Sequence, residues 1–178
     1  FIAVTVAPLS PPTPPGPMAT DLCGDAPPFG EGVFPFNTVG AGDDGSASCG
    51  AASSTADVWV QYVPTATGTA TAQTCGTANY DTVISAHATP CDAASLVCND
   101  DGCAPHSRIM FPATMGTPVW VRISGFSGST GSGTLLISLV PASPPAPAFT
   151  LDRTVKADAG ACTAIVTLPS ASRRNQSF

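Results

Sequence analysis

From Val33 onward the chain alternates apolar and polar side chains in short runs, and Gly, Pro, Asn or Asp stands at most of the breaks. VFPFNT (33–38) comes first and ends in the turn-rich GAGDDGS. DVWVQYV (57–63) then sets Val58, Val60 and Tyr62 on one face and Trp59, Gln61 and Val63 on the other, since successive strand residues point to opposite sides. GTATAQT (68–74) alternates among polar and small residues, and DTVISAH (81–87) opposes Val83 and Ser85 to Ile84 and Ala86. SLVCN (95–99), SRIMFPA (107–113), PVWVRIS (118–124) and GTLLISLV (133–140) complete eight predicted strands. They recur every ~8–15 residues, and no segment keeps a 3.6-residue apolar period over three turns. The pattern predicts an all-β, antiparallel β-sandwich of jelly-roll-like type, because two such sheets each bury one face against the other.

The same pattern divides the chain. Residues 1–18 comprise FIAVTVAPLS, which alternates like the last strand of a preceding segment, and a stiff proline-rich linker, PPTPPGP. The sandwich is expected over 19–140, and PASPPAPA at 141–148 forms a second linker. Residues 149–178 alternate again through Ala164, Val166 and Leu168, as the truncated start of a second β domain, before a tail that carries two of the six basic residues. That tail holds an Asn175-Gln-Ser glycosylation sequon. The opening has no basic n-region or small-residue cleavage site, so the chain is expected to be a fragment of a longer exported protein.

Composition sharpens the picture. Nineteen Pro and seventeen Gly against 10 % charged residues suit strands joined by tight turns. The net charge is −6, and between Asp21 and Val140 ten acids face only Arg108 and Arg122. Such a surface repels nucleic acid and anionic headgroups. No run approaches the ~18 apolar residues of a membrane span. Cations, calcium first, are the natural partners of carboxylate and carbonyl oxygens; solubility outside the cell is the other role such acidity serves.

Seven cysteines point to an oxidising compartment, secreted or at the cell surface. Six of them (Cys23, Cys49, Cys75, Cys91, Cys98 and Cys103) lie in the sandwich, and Cys162 lies beyond it. The spacing favours Cys91–Cys98 closing a short loop, Cys75–Cys103 tying the ends of the 74–103 stretch, and Cys23–Cys49 fixing the N-terminal segment. Zinc is disfavoured, because no Cys-x-x-Cys knuckle has a matching second pair.

The 74–103 stretch also carries the candidate chemistry. Asp81 at the start of one strand and Asn99-Asp100-Asp101 in a cysteine-flanked turn can converge on one calcium ion, with carbonyls and water completing its shell. The competing reading is that Asp81 and Asp101 cap turns. The twelve-residue calcium-loop spacing is absent. His87 and His106 sit in no His-Glu-x-x-His motif, and there is no Gly-x-Ser-x-Gly elbow, so no catalysis is expected. Trp59 and Trp120 read as core residues, whereas Tyr80 and Phe126 are expected at the surface, where aromatic faces can stack on a ligand.

DLCGDA, FNTVGAGDDG, DVWVQYVPTATGTATAQTCG, YDTVISA, CNDDGC, SRIMFPATMGTPVWVRISGFSG and GTLLISL, in that order, resemble a bacterial pre-peptidase C-terminal (PPC-like) domain of the cysteine-rich type. His87 and Trp120 stand where Tyr is usual in that family. LDRTVKADAGACTAIVTLPSAS resembles the first strands of a HYR domain, an immunoglobulin-like extracellular module. The resemblance implies a non-catalytic accessory module (spacer, stabiliser or attachment domain) working beside other domains of its chain. It also implies calcium binding in some members, and binding of polysaccharide or protein fibre in some. A part of a secreted hydrolase is the third possibility.

Overall fold

The computed structural model describes residues 19–51, 55–88 and 94–143. The first ten residues, Cys91, Cys162 and the stretch resembling a HYR domain lie outside them. The chain divides into two units at Ser143, and the sandwich belongs to the first.

The strands are β1 (Pro28–Phe29), β2 (Gly32–Asn37), β3 (Val58–Tyr62), β4 (Gly68–Gln73) and β5 (Thr82–His87), then β6 (Ser95–Asn99), β7 (Arg108–Ala113), β8 (Val119–Gly125) and β9 (Ser132–Pro141). All eight predicted runs form strands; β1, two residues paired parallel to β3, is the addition. One sheet runs β1-β3-β8-β5-β6 and the other β2-β9-β4-β7. Every pairing except that of β1 is antiparallel. The fold is a disulfide-stapled all-β sandwich. Consecutive strands mostly change sheet, so the chain repeatedly crosses the core rather than running out along one layer.

Alternation decides what fills that core. Val60 pairs with Val121 and Ile84 with Ile123 on the inner face of the five-stranded sheet. Phe34, Phe36, Phe111, Leu135 and Ile137 meet them from the other sheet. Tyr62 stands edge-on to Phe111 with ring centroids 6.2 Å apart. Each such side chain contributes ~1.5–3 kcal/mol on burial.

The outer face of the five-stranded sheet is buried too. Trp59, Ser85, His87, Arg122 and Ser124 all point there and none is more than 1 % exposed. Two segments cover them. Thr20 pairs with Trp59 through both backbone hydrogen bonds, and Cys23 and Ala26 pack on the indole. The Thr38–Asp57 connection lies beside them: Asp57 Oδ2 accepts from Arg122 Nε at 2.6 Å, and the Thr55 carbonyl accepts from Arg122 Nη2 at 3.2 Å.

That covering corrects the expected cysteine pairing. Cys49 is bonded to Cys98, which excludes both Cys23–Cys49 and Cys91–Cys98; Cys75–Cys103 is present as anticipated. The reason is geometric. Cys98 pairs with Ser85, whose side chain faces outward, and the connection carrying Cys49 lies over that face. Cys23 is disulfide-bonded as well.

Peptide mapping without reduction is expected to recover Cys49–Cys98 and Cys75–Cys103; a Cys91–Cys98 peptide would contradict the fold. Phe111→Ala, at a side chain 2 % exposed, is expected to lower urea-unfolding stability by ~3–5 kcal/mol.

Candidate metal centre

The register of β5 against β6 builds the site. Ile84 faces Asn99, so the chain leaving β6 delivers Asp100 beside the start of β5, where Asp81 stands. Asp81, Asp100 and Asp101 each offer a carboxylate oxygen, and these atoms lie within 4.8 Å of one another. Two oxygens bound to one calcium ion at about 2.4 Å can be at most about 4.8 Å apart, so one ion can reach all three. Asp101 is exposed, whereas Asp81 and Asp100 are half-buried. Asp81 Oδ1 and Asp100 Oδ1 are each buried without a hydrogen-bond partner. Buried carboxylate oxygens without a donor are costly, and a cation or a proton removes that cost.

Asn99, the fourth residue expected at the site, does other work. Its Oδ1 accepts from Gly102 N at 2.6 Å and from Arg108 N at 3.0 Å, occupying the lone pairs an ion would need. The side chain closes the turn that carries the two aspartates. Position 102 has to be glycine, since a Cβ there would run into Asn99 Oδ1 and lie 2.8 Å from Arg108 N.

Beneath the carboxylates lies a buried set of hydroxyls that carries no sequence signature. Thr74 Oγ1 and Thr82 Oγ1 are 2.7 Å apart, and both accept from Ser107 N. Ser107 Oγ lies within reach of the carbonyls of Thr82, Asn99 and Asp100, so a single hydroxyl ties β5 to the aspartate turn. His106 braces the far side: Nδ1 accepts from Gly76 N at 3.2 Å and Nε2 lies 3.0 Å from the Ala78 carbonyl. Cys98 and Cys103 flank the Asp100-Asp101 pair and are bonded to different partners, Cys49 and Cys75.

Burial pushes the Asp81 carboxyl above the ordinary carboxylate range, the Asp101 charge adds to the rise, and His106 opposes it. Burial likewise raises Asp100, reinforced by Asp81 and then Asp101. Both groups therefore hold protons more tightly folded than unfolded. Their contribution to stability is complete below the unfolded carboxylate range and is lost as pH rises through the raised folded values. Once ionised, the site is a concentration of negative charge that the fold sustains at a cost.

The aromatic candidates separate. Tyr80 is half-buried and stands edge-on to Phe36 at 6.3 Å, so it belongs to the core margin; burial raises its hydroxyl to about 12. Phe126 is 40 % exposed, in a 3₁₀ turn (Phe126–Gly128) whose first N–H donates to the Asp81 carbonyl at 3.1 Å. A Ser–His hydrogen bond between side chains, Ser85 Oγ to His87 Nε2 at 2.8 Å, is fully buried and closed to solvent. No helix among the described residues is long and apolar enough to cross a membrane. No protein-family model, curated protein or solved structure matches the chain.

Asp100→Asn is expected to raise the thermal midpoint at pH 8 in EDTA and to leave it unchanged near pH 3, because the amide removes repulsion present only when the acids are charged. Melting curves at the two pH values check this.

Proposed function

We propose that residues 19–140 are a non-catalytic extracellular accessory module of PPC-like type, stapled by its disulfides and carrying a calcium site at Asp81, Asp100 and Asp101. The observation that carries the reading is the convergence of these three carboxylates, two of them with buried, unpartnered oxygens. Three carboxylates supply up to six oxygens, and the open side at Asp101 leaves room for water, which suits a hard ion of 6–8 ligands. The disulfides accord with an oxidising compartment. In this reading the module spaces, stabilises or attaches its neighbours in a larger secreted or surface protein.

A second reading, binding of a polysaccharide or protein fibre, draws on a different face. The outer side of the four-stranded sheet presents Val33, Leu136, Met110 and Val140 to solvent, each between 37 % and 70 % exposed. Thr69, Thr71, Gln73 and Ser138 lie between them, and Arg108 is the one charged residue on its strands. A sparsely charged, partly apolar, extended sheet surface suits a neutral polymer.

Millimolar calcium, relative to EDTA, is expected to raise the thermal midpoint by several degrees. An ion at 100 times its dissociation constant adds ~2.7 kcal/mol by mass action. The shift should vanish in Asp81→Ala and Asp101→Ala and shrink below pH 5, where protons compete for the same oxygens; no shift at pH 7.5 sinks the calcium site. Co-sedimentation with insoluble glycans and with fibrillar protein tests the second reading. Retention lost in a Met110→Asp, Val140→Asp variant supports it, and no retention on any matrix excludes it.

A further inference from the structure

The Thr38–Asp57 connection is held over the outer face of the five-stranded sheet by a second, separate group of acids. Trp59 has one indole N–H, and two carboxylates accept it: Asp44 Oδ1 at 2.7 Å and Asp57 Oδ1 at 3.0 Å. Asp44 Oδ2 also accepts from Cys23 N at 2.9 Å, so this side chain joins the connection, the sheet and the N-terminal segment. The backbone lies directly on the ring, where a Cβ at Gly45 would run into the indole.

Charge does not balance there. Arg122 Nε meets Asp57 Oδ2 at 2.6 Å with both side chains fully buried, and Asp43 lies 3.9 Å from Arg122 Nη2 with its side chain 42 % exposed. Asp43 keeps its hydration. Asp44 and Asp57 remain, two carboxylates on one N–H with one guanidinium beside them among the described residues, and excess buried charge of this kind is relieved by taking up a proton.

We propose that Asp44 and Asp57 share one proton at the Trp59 indole, making the stretch at residues 42–45 a pH-sensitive latch that is closed while the proton is held and loosened when it leaves. Burial first, then the hydrogen bond to Asp44, lifts Asp57 to about 7 against the pull of Arg122. Burial also works to raise Asp44, but Asp57, Cys23 N, the Trp59 indole and Arg122 outweigh it and leave Asp44 low. Both carboxylates lie within hydrogen-bond reach of the same indole N–H, so their titrations are coupled and the pair titrates as a unit.

The latched form holds a proton that an unfolded Asp has already lost, so latching is strongest in acid and weakens as pH rises through about 7. Asp57 is fully buried at the foot of β3, whereas Asp44 is partly exposed, so Asp44 is the end that lifts. Cys49–Cys98 still tethers the connection beyond it, which confines the movement to the backbone lying on Trp59. The other ionisable groups around the pair are His87, whose ring is 5.3 Å from that of Trp59, and Asp21, which accepts from Gly42 N at 2.7 Å. Asp25 lies in the 3₁₀ turn that begins at Cys23.

The test follows Trp59 emission between pH 5 and 9 in the full chain carrying Trp120→Phe, with Asp 13Cγ shifts recorded on the unaltered protein. A single transition with a midpoint near pH 7, abolished by Asp44→Asn and kept in Asp43→Asn, supports the latch. A transition that survives Asp44→Asn but disappears in His87→Gln overturns it, by assigning the titration to the imidazole. Should Asp44→Asn fail to fold, the 13Cγ shifts decide: no Asp carbon titrating between pH 6 and 8 overturns the proposal, and two carbons moving with one midpoint support it.

Discussion

A five-stranded sheet has two faces to hide, and among the described residues there is no α-helix to lay over the second. Everything distinctive about this molecule stems from that constraint. One face is covered by the other sheet; the second is covered by irregular chain, whose peptide groups bring polar atoms with them. The sheet answers with polar side chains of its own. Arg122 and Trp59 rise from the middle of β8 and β3, sit opposite each other in register, and hand their N–H groups to carboxylates and carbonyls of the covering connection. A purely apolar outer face would have left those covering groups without partners.

The disulfides finish what the hydrogen bonds begin. Cys49–Cys98 fastens the covering connection to the edge strand β6, and Cys75–Cys103 fastens the end of β4 to the turn after Asp101. Because Cys98 and Cys103 lie on either side of the two aspartates, the like charges of Asp81, Asp100 and Asp101 are held together by covalent restraint rather than by mutual attraction. The buried hydroxyls of Thr74, Thr82 and Ser107 fix the same corner from below. Carboxylates crowded by their scaffold are primed for a counter-ion in a way that freely moving ones are not.

How much of this is legible in the sequence depends on what each residue has to report. In β7 the burial alternates strictly along RIMFPA, yet Met110 and Pro112 on the exposed face are as apolar as the residues they alternate with, so the sequence shows the strand more plainly than its face. In β5, TVISAH is buried at every position, because its outer side lies under a connection that no periodicity can announce. Trp59 reads correctly as a buried residue on the face opposite Val58 and Val60, but alternation says only which way a side chain points, not what lies over it. Asp81, Asp100 and Asp101 are legible as a group because cysteines bracket the turn that carries two of them. Asn99 reads as a ligand because an Asn three residues before a Gly resembles a ligand set when acids stand between, and in the fold its Oδ1 closes the turn. Cysteine pairing depends on which loop crosses which sheet, and that is a property of topology.

The crosslinks also decide what the chain can do under tension. A pull applied at Ala19 and Ser143 cannot draw Cys49 and Cys98 apart, because the sulfur bridge joins them. The two cysteines stand 49 positions apart in the chain, an interval that holds β3, β4 and β5 and that the bridge closes into a loop. At ~3.3–3.6 Å of contour per residue, roughly 160 Å of length is withheld from extension. Placed between two other domains, this sandwich is a short tether whose length under load is set by its crosslinks and not by its contour.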